Sequence, residues 1–261
     1  MKTLIKYILP VILLMTASSA ATARDLTARA DSAYNETAYT EALNLYNQAL
    51  DSIGASTHLY YNIGNTYYRL GDLGRAVLWY ERALQLDPTN SDARDNLTFV
   101  NTRITDKPAN DRLLLARIYD RMVNAAHPDS WAWITFALFT VTVIAFAGYL
   151  VTRQVIVRKV CFFGGGLVLI LTISALSLTL TGASRSSNHD YAIITSPSAQ
   201  LSTAPRESVD ADTQAFLLHE GTKVEVVDSV IPSTPGATRW YEVKVAGSAR
   251  AWINGNDMER I

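Results

Sequence analysis

Hydrophobic and polar positions follow four different patterns along the chain. A short apolar stretch, residues 7–15, lies close to the start. Residues 24–105 then carry small and aromatic side chains at helical spacing, separated by polar positions. Two long runs without a charged residue follow at residues 131–151 and 160–181. Beyond these runs, apolar and polar residues alternate in short segments, which predicts β-strands. The chain is therefore predicted to be a multi-domain protein with an all-α region, two long apolar helices and an all-β region.

The two apolar runs are predicted to cross a membrane. Residues 131–151 form a run of 21 residues, and a helix of that length spans about 31 Å, close to a hydrocarbon core of about 30 Å. The link between the runs, residues 152–159, carries three basic residues and no acidic one. Short basic links favour the cytoplasmic side of a membrane. We therefore predict a transmembrane hairpin whose second helix covers residues 160–181. A pair of buried core helices is the alternative.

The first 23 residues have the layout of a secretory signal peptide. Lys2 and Lys6 precede the apolar stretch, and small residues ending in Ala21-Thr22-Ala23 follow it. An uncleaved membrane anchor is the alternative, and either segment would export the residues that follow. Residues 24–130 and 183–261 are then expected on the periplasmic side of a bacterial inner membrane.

Composition excludes several classes of function. The 261 residues include 23 basic and 24 acidic side chains, a net charge of −1. Bulk positive charge is therefore absent, and we expect no nucleic acid as a partner. The one cysteine, Cys161, excludes an intrachain disulfide and a zinc site of several thiolates. Because no GxSxG, HExxH or usable Cys–His pair is present, we expect no enzyme activity, cofactor or metal site.

A 34-residue repeat precedes the membrane segment. Residues 57–90 place tyrosines at the large positions and glycine or alanine at the small positions of a tetratricopeptide repeat. The diagnostic positions are Tyr60, Ile63, Gly64, Tyr67, Ala76, Tyr80, Ala83 and Pro88. One period earlier, Ala42, Tyr46 and Ala49 recur at equivalent positions, so residues 24–56 are predicted to form a first repeat. A capping helix after residue 90 is predicted to complete the region 24–105.

The first helix of each such repeat lines a face that binds peptides or proteins. In the second repeat, the residues predicted on this face are Tyr61, Asn62, Asn65, Tyr68 and Arg69. The two asparagines are suited to hold an extended peptide backbone, and Arg69 is suited to meet a carboxylate. A solvated face on a short spacer is the alternative. Members of this family that clamp a C-terminal carboxylate need basic residues where Asp92 and Asn96 stand here, which disfavours that mode.

Residues 106–130 join the repeats to the first apolar run. Apolar Leu115, Ile118 and Met122 recur at helical spacing, with Arg117 and Arg121 on the other face. This pattern predicts an amphipathic helix. Such a helix would lie on the bilayer surface or pack under the repeats.

After a linker at residues 182–190, residues 191–261 are predicted to form a small all-β barrel. Its strands are expected at 191–195, 199–203, 223–227, 240–245 and 249–253. The sequences HEGTKVEVV and WYEV resemble a bacterial SH3-like domain. This resemblance implies binding of cell-wall peptides or proteins, with Trp240, Tyr241 and Trp252 as candidate groove residues. A barrel core made of Trp252 and one of the other two is the alternative. Many members carry Gly-Trp where this chain has Ala251-Trp252.

The order of all these segments resembles the BatE-like proteins of Bat aerotolerance operons. HPDSWAWI opens the first apolar run and RKVCFFGGG opens the second. The resemblance implies partnership with von Willebrand A-type membrane proteins and a MoxR-type ATPase in a stress-related envelope complex. We therefore expect an inner-membrane adaptor that presents two binding modules to the periplasm. The alternatives are a cell-wall sensor or anchor that binds peptidoglycan through the SH3-like domain, and an accessory activator of a wall hydrolase.

Overall fold

The computed structural model describes residues 24–107, 113–188, 190–207, 214–231, 238–245 and 249–261. The predicted signal peptide, residues 1–23, lies outside this part of the chain. The chain divides into two compact units. The first unit contains five described helices and a β-sheet, and the second contains three described helices, two of which are long and apolar.

The helices of the first unit are α1, residues 24–35, α2, Tyr39–Ile53, α3, Thr57–Leu70, α4, Leu73–Leu86, and α5, Ser91–Asn101. Gly71 ends α3 with a φ of 85°, in the left-handed region. Glycine adopts this conformation without a steric cost, so the chain turns tightly into α4. Helix α4 ends directly before Asp87-Pro88, since the residue preceding a proline disfavours helical geometry.

Small side chains lie where α3 and α4 cross. A Cβ atom on Gly64 would lie only 2.9 Å from Cδ1 of Tyr80. Tyr80 is almost fully buried, and Ala76 and Ala83 belong to the same core. The alternation of small and large positions in the repeat therefore has a direct cause. Glycine permits the close approach, and the tyrosine ring fills the space beside it.

Seven antiparallel strands form one sheet: β1, Tyr191–Ile194, β2, Ser198–Ser202, β3, Gln214–His219, β4, Lys223–Val230, β5, Trp240–Lys244, β6, Arg250–Asn254, and β7, Met258–Arg260. Their order is β3-β2-β6-β5-β4-β1-β7. Among the described residues no pairing joins β3 to β7, so the sheet is open and the expected closure into an SH3-like barrel is not found. The sequence pattern missed β3, whose AFLL segment does not alternate, and β7, which has only three residues.

The sheet has its own core, but one of its strands also enters the helical core. Ala192 and Ile194 of β1 are buried with Val243 and Ile253 in the sheet core. Ile193, which points to the other side of β1, is fully buried among α4 and α5 side chains instead. Helices and sheet of this unit therefore share apolar packing through β1.

Polar contacts fix the turn between β3 and β4 against the segment after α5. Asp106 accepts hydrogen bonds from the backbone nitrogen of His219, at 2.6 Å, and from the Thr222 hydroxyl, at 3.0 Å. Burial alone would raise the pKa of Asp106, but these hydrogen bonds outweigh it and lower that pKa. Gly221 in the turn has a φ of 84°, and a Cβ there would lie 2.7 Å from Cγ2 of Ile104. A side chain at this position would therefore separate the two segments.

Two ion pairs flank the same junction. Arg82 of α4 lies 2.9 Å from Glu259 of β7, and Lys223 of β4 lies 2.8 Å from Glu81 of α4. Partly exposed pairs of this kind contribute about 0–1 kcal/mol each. The buried apolar contact of Ile193 is therefore the larger stabilising term at this junction.

The second unit consists of α6, Leu114–Val123, α7, Pro128–Val151, and α8, Val155–Ser187. By length and composition, α7 and α8 are able to cross a membrane. Nearly all of their large apolar side chains are exposed, as expected for helices that face lipid rather than a protein core. The break between them covers only residues 152–154, which is shorter than the predicted link. Arg158 and Lys159 extend α8 because long basic side chains favour helix.

Small and hydroxyl residues lie between α7 and α8. A Cβ on Gly165 would lie 3.1 Å from Cβ of Ala145, so the backbones approach closely at this level. Nearer the other end, the hydroxyls of Thr135 and Thr179 lie 3.2 Å apart. The two apolar helices therefore form a packed pair.

Helix α6 is amphipathic, as predicted, and packs on α8. The Tyr119 hydroxyl lies 2.8 Å from Oγ of Ser177 and 2.9 Å from Oγ1 of Thr181. On the apolar face, Leu114 and Leu115 remain largely exposed. One polar edge of α6 is therefore fixed to α8 while its leucines are available to an apolar environment.

Candidate functional site

A ladder of hydrogen bonds joins the first helices of successive repeats. The Tyr46 hydroxyl donates to Oδ1 of Asp31 at 2.6 Å, and Nδ2 of Asn62 donates to the same oxygen at 3.2 Å. One repeat later, the Tyr80 hydroxyl donates to Oδ1 of Asn65 at 2.6 Å, and Nδ2 of Asn96 donates to that oxygen at 2.9 Å. Every member of the first set lies one 34-residue period before its counterpart in the second. The same hydrogen bonds therefore join α1 to α3 and α3 to α5, with the same offset along each helix.

Both ladder tyrosines remain protonated donors at ordinary pH. Burial raises the pKa of Tyr46, and its hydrogen bond to Asp31 raises it further. Burial likewise raises the pKa of Tyr80, an effect only partly opposed by Asn96. The ladder is consequently a structural element that sets the spacing of the three helices.

We use the name groove face for the side chains of α1, α3 and the α5 segment that surround this ladder: Asp31, Tyr34, Tyr61, Asn62, Asn65, Tyr68, Arg69, Asn96, Phe99 and Arg103. This set includes the five residues predicted from the sequence, and their binding role stays a prediction. Tyr61 packs beside Tyr80, with ring centroids 6.1 Å apart, and its hydroxyl accepts a hydrogen bond from Asn96. Arg69 is exposed at the end of α3.

The two asparagines predicted to hold a peptide backbone are partly used by the ladder. Asn62 donates through Nδ2 and Asn65 accepts through Oδ1. Within the described residues, no hydrogen bond uses Oδ1 of Asn62 or Nδ2 of Asn65. One acceptor and one donor therefore stay available, which is the pair that an extended peptide requires. Peptide binding by these groups stays a prediction.

Aromatic rings and two arginines form a continuous patch at one end of the groove face. We call it the arginine patch, and it consists of Tyr34, Tyr68, Arg69, Phe99 and Arg103. Nε of Arg69 donates to the Tyr34 hydroxyl at 3.3 Å. The Arg103 guanidinium lies 4.4 Å from the Phe99 ring centroid and 5.5 Å from that of Tyr68. These contacts orient both cations while leaving them exposed.

Five residues of the groove face were missed from the sequence, although a signal for each was present. A step of one period from Tyr68 gives Tyr34, and a step from Asn65 gives Asp31 or Phe99. The same step from Asn62 gives Asn96, and from Arg69 it gives Arg103. Applying the period to the predicted residues themselves, and not only to the packing positions, would have identified the complete face.

The three aromatic residues predicted for a groove on the β-region lie on two sides of the sheet. Tyr241 packs with the sheet core. Trp240 and Glu242 alternate with Tyr241 along β5, and Glu242 pairs with Trp252 of β6. Trp240 and Trp252 are therefore on the face opposite the core. Trp240 is nevertheless buried, whereas Trp252 is half-buried. Ligand binding by these residues stays a prediction.

Across the described ranges, no group of three histidine, cysteine, aspartate or glutamate side chains is arranged to hold a metal ion. The groove face instead offers rings, amides and guanidinium groups, which are suited to recognition by contact and hydrogen bonding.

Comparison with known proteins agrees with the repeat geometry. Residues 59–90 match the family model of the tetratricopeptide repeat. A tetratricopeptide repeat is therefore present in the chain, and it comprises nearly all of α3 and α4. The chain is also 36% identical over 93 residues to the protein CTR9 homolog of Arabidopsis thaliana. That similarity covers 35% of this chain and only 8% of the plant protein.

Proposed function

We propose that this protein is a membrane-anchored adaptor that holds partner proteins on its groove face. The observation that carries the proposal is a matched tetratricopeptide repeat whose groove face keeps two oriented, exposed arginines and an available amide donor and acceptor. Tetratricopeptide repeats indicate protein partners in general, because their stacked first helices present an extended surface.

Anchorage in a membrane is the second part of the proposal. It is supported by the length and apolar surface of α7 and α8 and by the exposed leucines of α6. The lipid bilayer is then a partner of the second unit. We further propose that the membrane is a bacterial inner membrane, on the strength of the signal-like residues 1–23 and the basic residues around 152–159.

The contact between the repeats and the sheet supports a shared compartment for both. These segments precede and follow the apolar pair in sequence, yet they pack in one unit through Ile193 and the Asp106 hydrogen bonds. Two membrane crossings, rather than one, would return the chain to the same side and so allow this packing. We propose the periplasm as that compartment.

The finer identity of the partners rests on the resemblance of the whole segment order to BatE-like proteins. On that basis we propose a Bat-type envelope complex with von Willebrand A-type membrane proteins and a MoxR-type ATPase system. The β-region, with its SH3-like sequence features, would be the second binding module of the adaptor.

A second candidate function concerns the β-region alone. Trp252 lies half-buried on the face opposite the sheet core, where an aromatic side chain is suited to stack on a sugar or peptide. We propose peptidoglycan as the ligand of this alternative. Pelleting of the full-length protein in detergent with purified cell wall tests it, and loss of pelleting in Trp252→Ala is the expected result. Full recovery in the supernatant refutes wall binding.

The adaptor proposal is tested by site-specific photo-crosslinking in native membranes. p-Benzoylphenylalanine in place of Tyr61 keeps an aromatic side chain on the groove face, and the same group in place of exposed Gln48 of α2 serves as the control. We expect protein crosslinks from position 61 and not from position 48. Mass spectrometry of the products then identifies the partners. The absence of any product specific to position 61 would refute the proposed role of the groove.

A further inference from the structure

We propose that the arginine patch binds carboxylate side chains of an acidic peptide segment in the partner. This inference rests on the adaptor function proposed above, since it specifies the chemistry that the groove face recognises. It concerns Arg69 and Arg103, which occupy the same position in successive repeats.

Among the described residues, no carboxylate neutralises either arginine. Within the described part of the chain, no carboxylate forms an ion pair with Arg69 or Arg103, whereas Arg75 pairs with Asp72 and Arg82 with Glu259. In that part of the chain, the side chains that hydrogen-bond to these guanidinium groups or lie beneath them are all aromatic. Apart from Nε of Arg69, which donates to Tyr34, their donors are therefore unused within the described residues. Guanidinium donors match the geometry of a carboxylate.

Helix capping does not account for this arrangement. Arginine near a helix C-terminus interacts favourably with the macrodipole, and Arg69 lies in the last turn of α3. A capping guanidinium would donate to the terminal carbonyl groups, but the Arg69 side chain donates to the Tyr34 hydroxyl instead. Arg103 lies beyond the end of α5 and stacks on Phe99. The aromatic contacts hold both cations over the groove face.

The charges at the two ends of α5 would orient an acidic ligand. Asp92 lies in the first turn of α5, at the opposite end of that helix from Arg103. With a rise of about 1.5 Å per residue, Asp92 is about 14 Å from Asn101, the last residue of the helix. This separation exceeds the Debye length of about 8 Å at physiological salt. An acidic segment is therefore expected to bind at the arginine patch rather than beside Asp92.

The probe for the proposal is a random dodecapeptide library displayed on phage and selected on the full-length protein in detergent micelles. We expect the selected peptides to carry Asp or Glu. Replacing those residues in a synthetic peptide by Asn or Gln should weaken its binding in fluorescence anisotropy. Raising sodium chloride from about 50 to 500 mM should also weaken binding, since salt screens exposed charges.

The protein variant for this test is Arg69→Gln combined with Arg103→Gln. Arg29→Gln is the matched control, because Arg29 is exposed on α1 at the repeat position that Ile63 occupies in α3, away from the groove face. We expect the double variant to weaken binding of an acidic peptide by about tenfold or more, and the control to leave it unchanged.

The outcomes separate this inference from the adaptor function. Selection of neutral or basic peptides overturns the carboxylate site and leaves the adaptor in place, and so does an acidic peptide that binds the double variant as tightly as the original protein. If no peptide is selected and position 61 also yields no crosslinked partner, the adaptor function fails and the carboxylate site fails with it. If no peptide is selected but position 61 does crosslink a partner, an unchanged crosslink in the double variant overturns the carboxylate site alone, and a lost one supports it.

Discussion

Ile193 is the side chain through which the sheet enters the helical core, and its truncation tests that arrangement most directly. Ile193 is fully buried with Ala76, Tyr80 and Val100. The substitution Ile193→Ala removes buried apolar surface and leaves a cavity between α4, α5 and β1. Truncations of this kind cost about 2–5 kcal/mol. We expect the loss to appear in the helices as well as in the strand.

Hydrogen exchange with mass spectrometry on the full-length protein in detergent measures the helices and the strands separately. If the substitution costs about 2 kcal/mol, amides of α4 and α5 that exchange through opening of this unit should do so about 30-fold faster. Ile253→Ala is the matched control, since Ile253 is equally buried but belongs to the sheet core. The control shows how strongly the helices respond to loss of sheet packing alone.

The decisive result is the behaviour of the helical amides in Ile193→Ala. Faster exchange confined to β1 and its neighbouring strands, with α4 and α5 unchanged, would refute the shared core. Equal acceleration in both variants would instead identify helices and sheet as one cooperative unit.

Three further predictions address the crossing, the junction and the apolar pair. Gly64→Ala places a Cβ 2.9 Å from the Tyr80 ring and should lower the free energy of unfolding by about 1–3 kcal/mol in urea denaturation. The lowered pKa of Asp106 contributes stability above its usual value of 3.8, and this stability is lost as pH falls through the folded pKa. Asp106→Asn should therefore flatten the acid limb of a stability-versus-pH curve, and an unaltered limb would contradict the assignment. Gly165→Leu should lower the melting temperature in detergent because a Cβ already meets α7, whereas Gly166→Leu should not, because a Cβ there meets nothing within 4 Å.

The helical region was the most predictable part of the fold, because its period links local pattern to packing. Gly64, Ala76 and Tyr80 were assigned to a close crossing from spacing alone, and they form it. The five predicted groove residues belong to the same repeats, and peptide binding by them stays a prediction. One period after Arg69 comes Arg103, but Arg103 lies beyond the end of α5, where the helical sequence pattern stops.

The sheet was less predictable because its long-range pairing has no sequence period. The first and last strands in sequence, β1 and β7, pair with each other. The three residues of β7 carry too little alternation to reveal that strand. Ile193 is a second example, since a residue between two buried neighbours in β1 gives no sign that its other side meets helices. In the sequence, Asp106 only opens the segment that joins the repeats to the first apolar run. The folded chain places it against His219 and Thr222.

The shared core has a consequence for the order in which the protein is made. Gly74 and Glu220 form a hydrogen bond across 146 residues, and Arg82 reaches the carbonyl of Arg260 across 178. Ile261 itself packs against the helical core. During synthesis the repeats therefore leave the ribosome with part of their apolar surface uncovered, and Ile193 and Ile261 cover it only later. Closing so long a loop is slow compared with local helix formation. A truncation that removes Arg260 and Ile261 therefore acts on the repeats, which lie on the other side of the apolar pair in sequence.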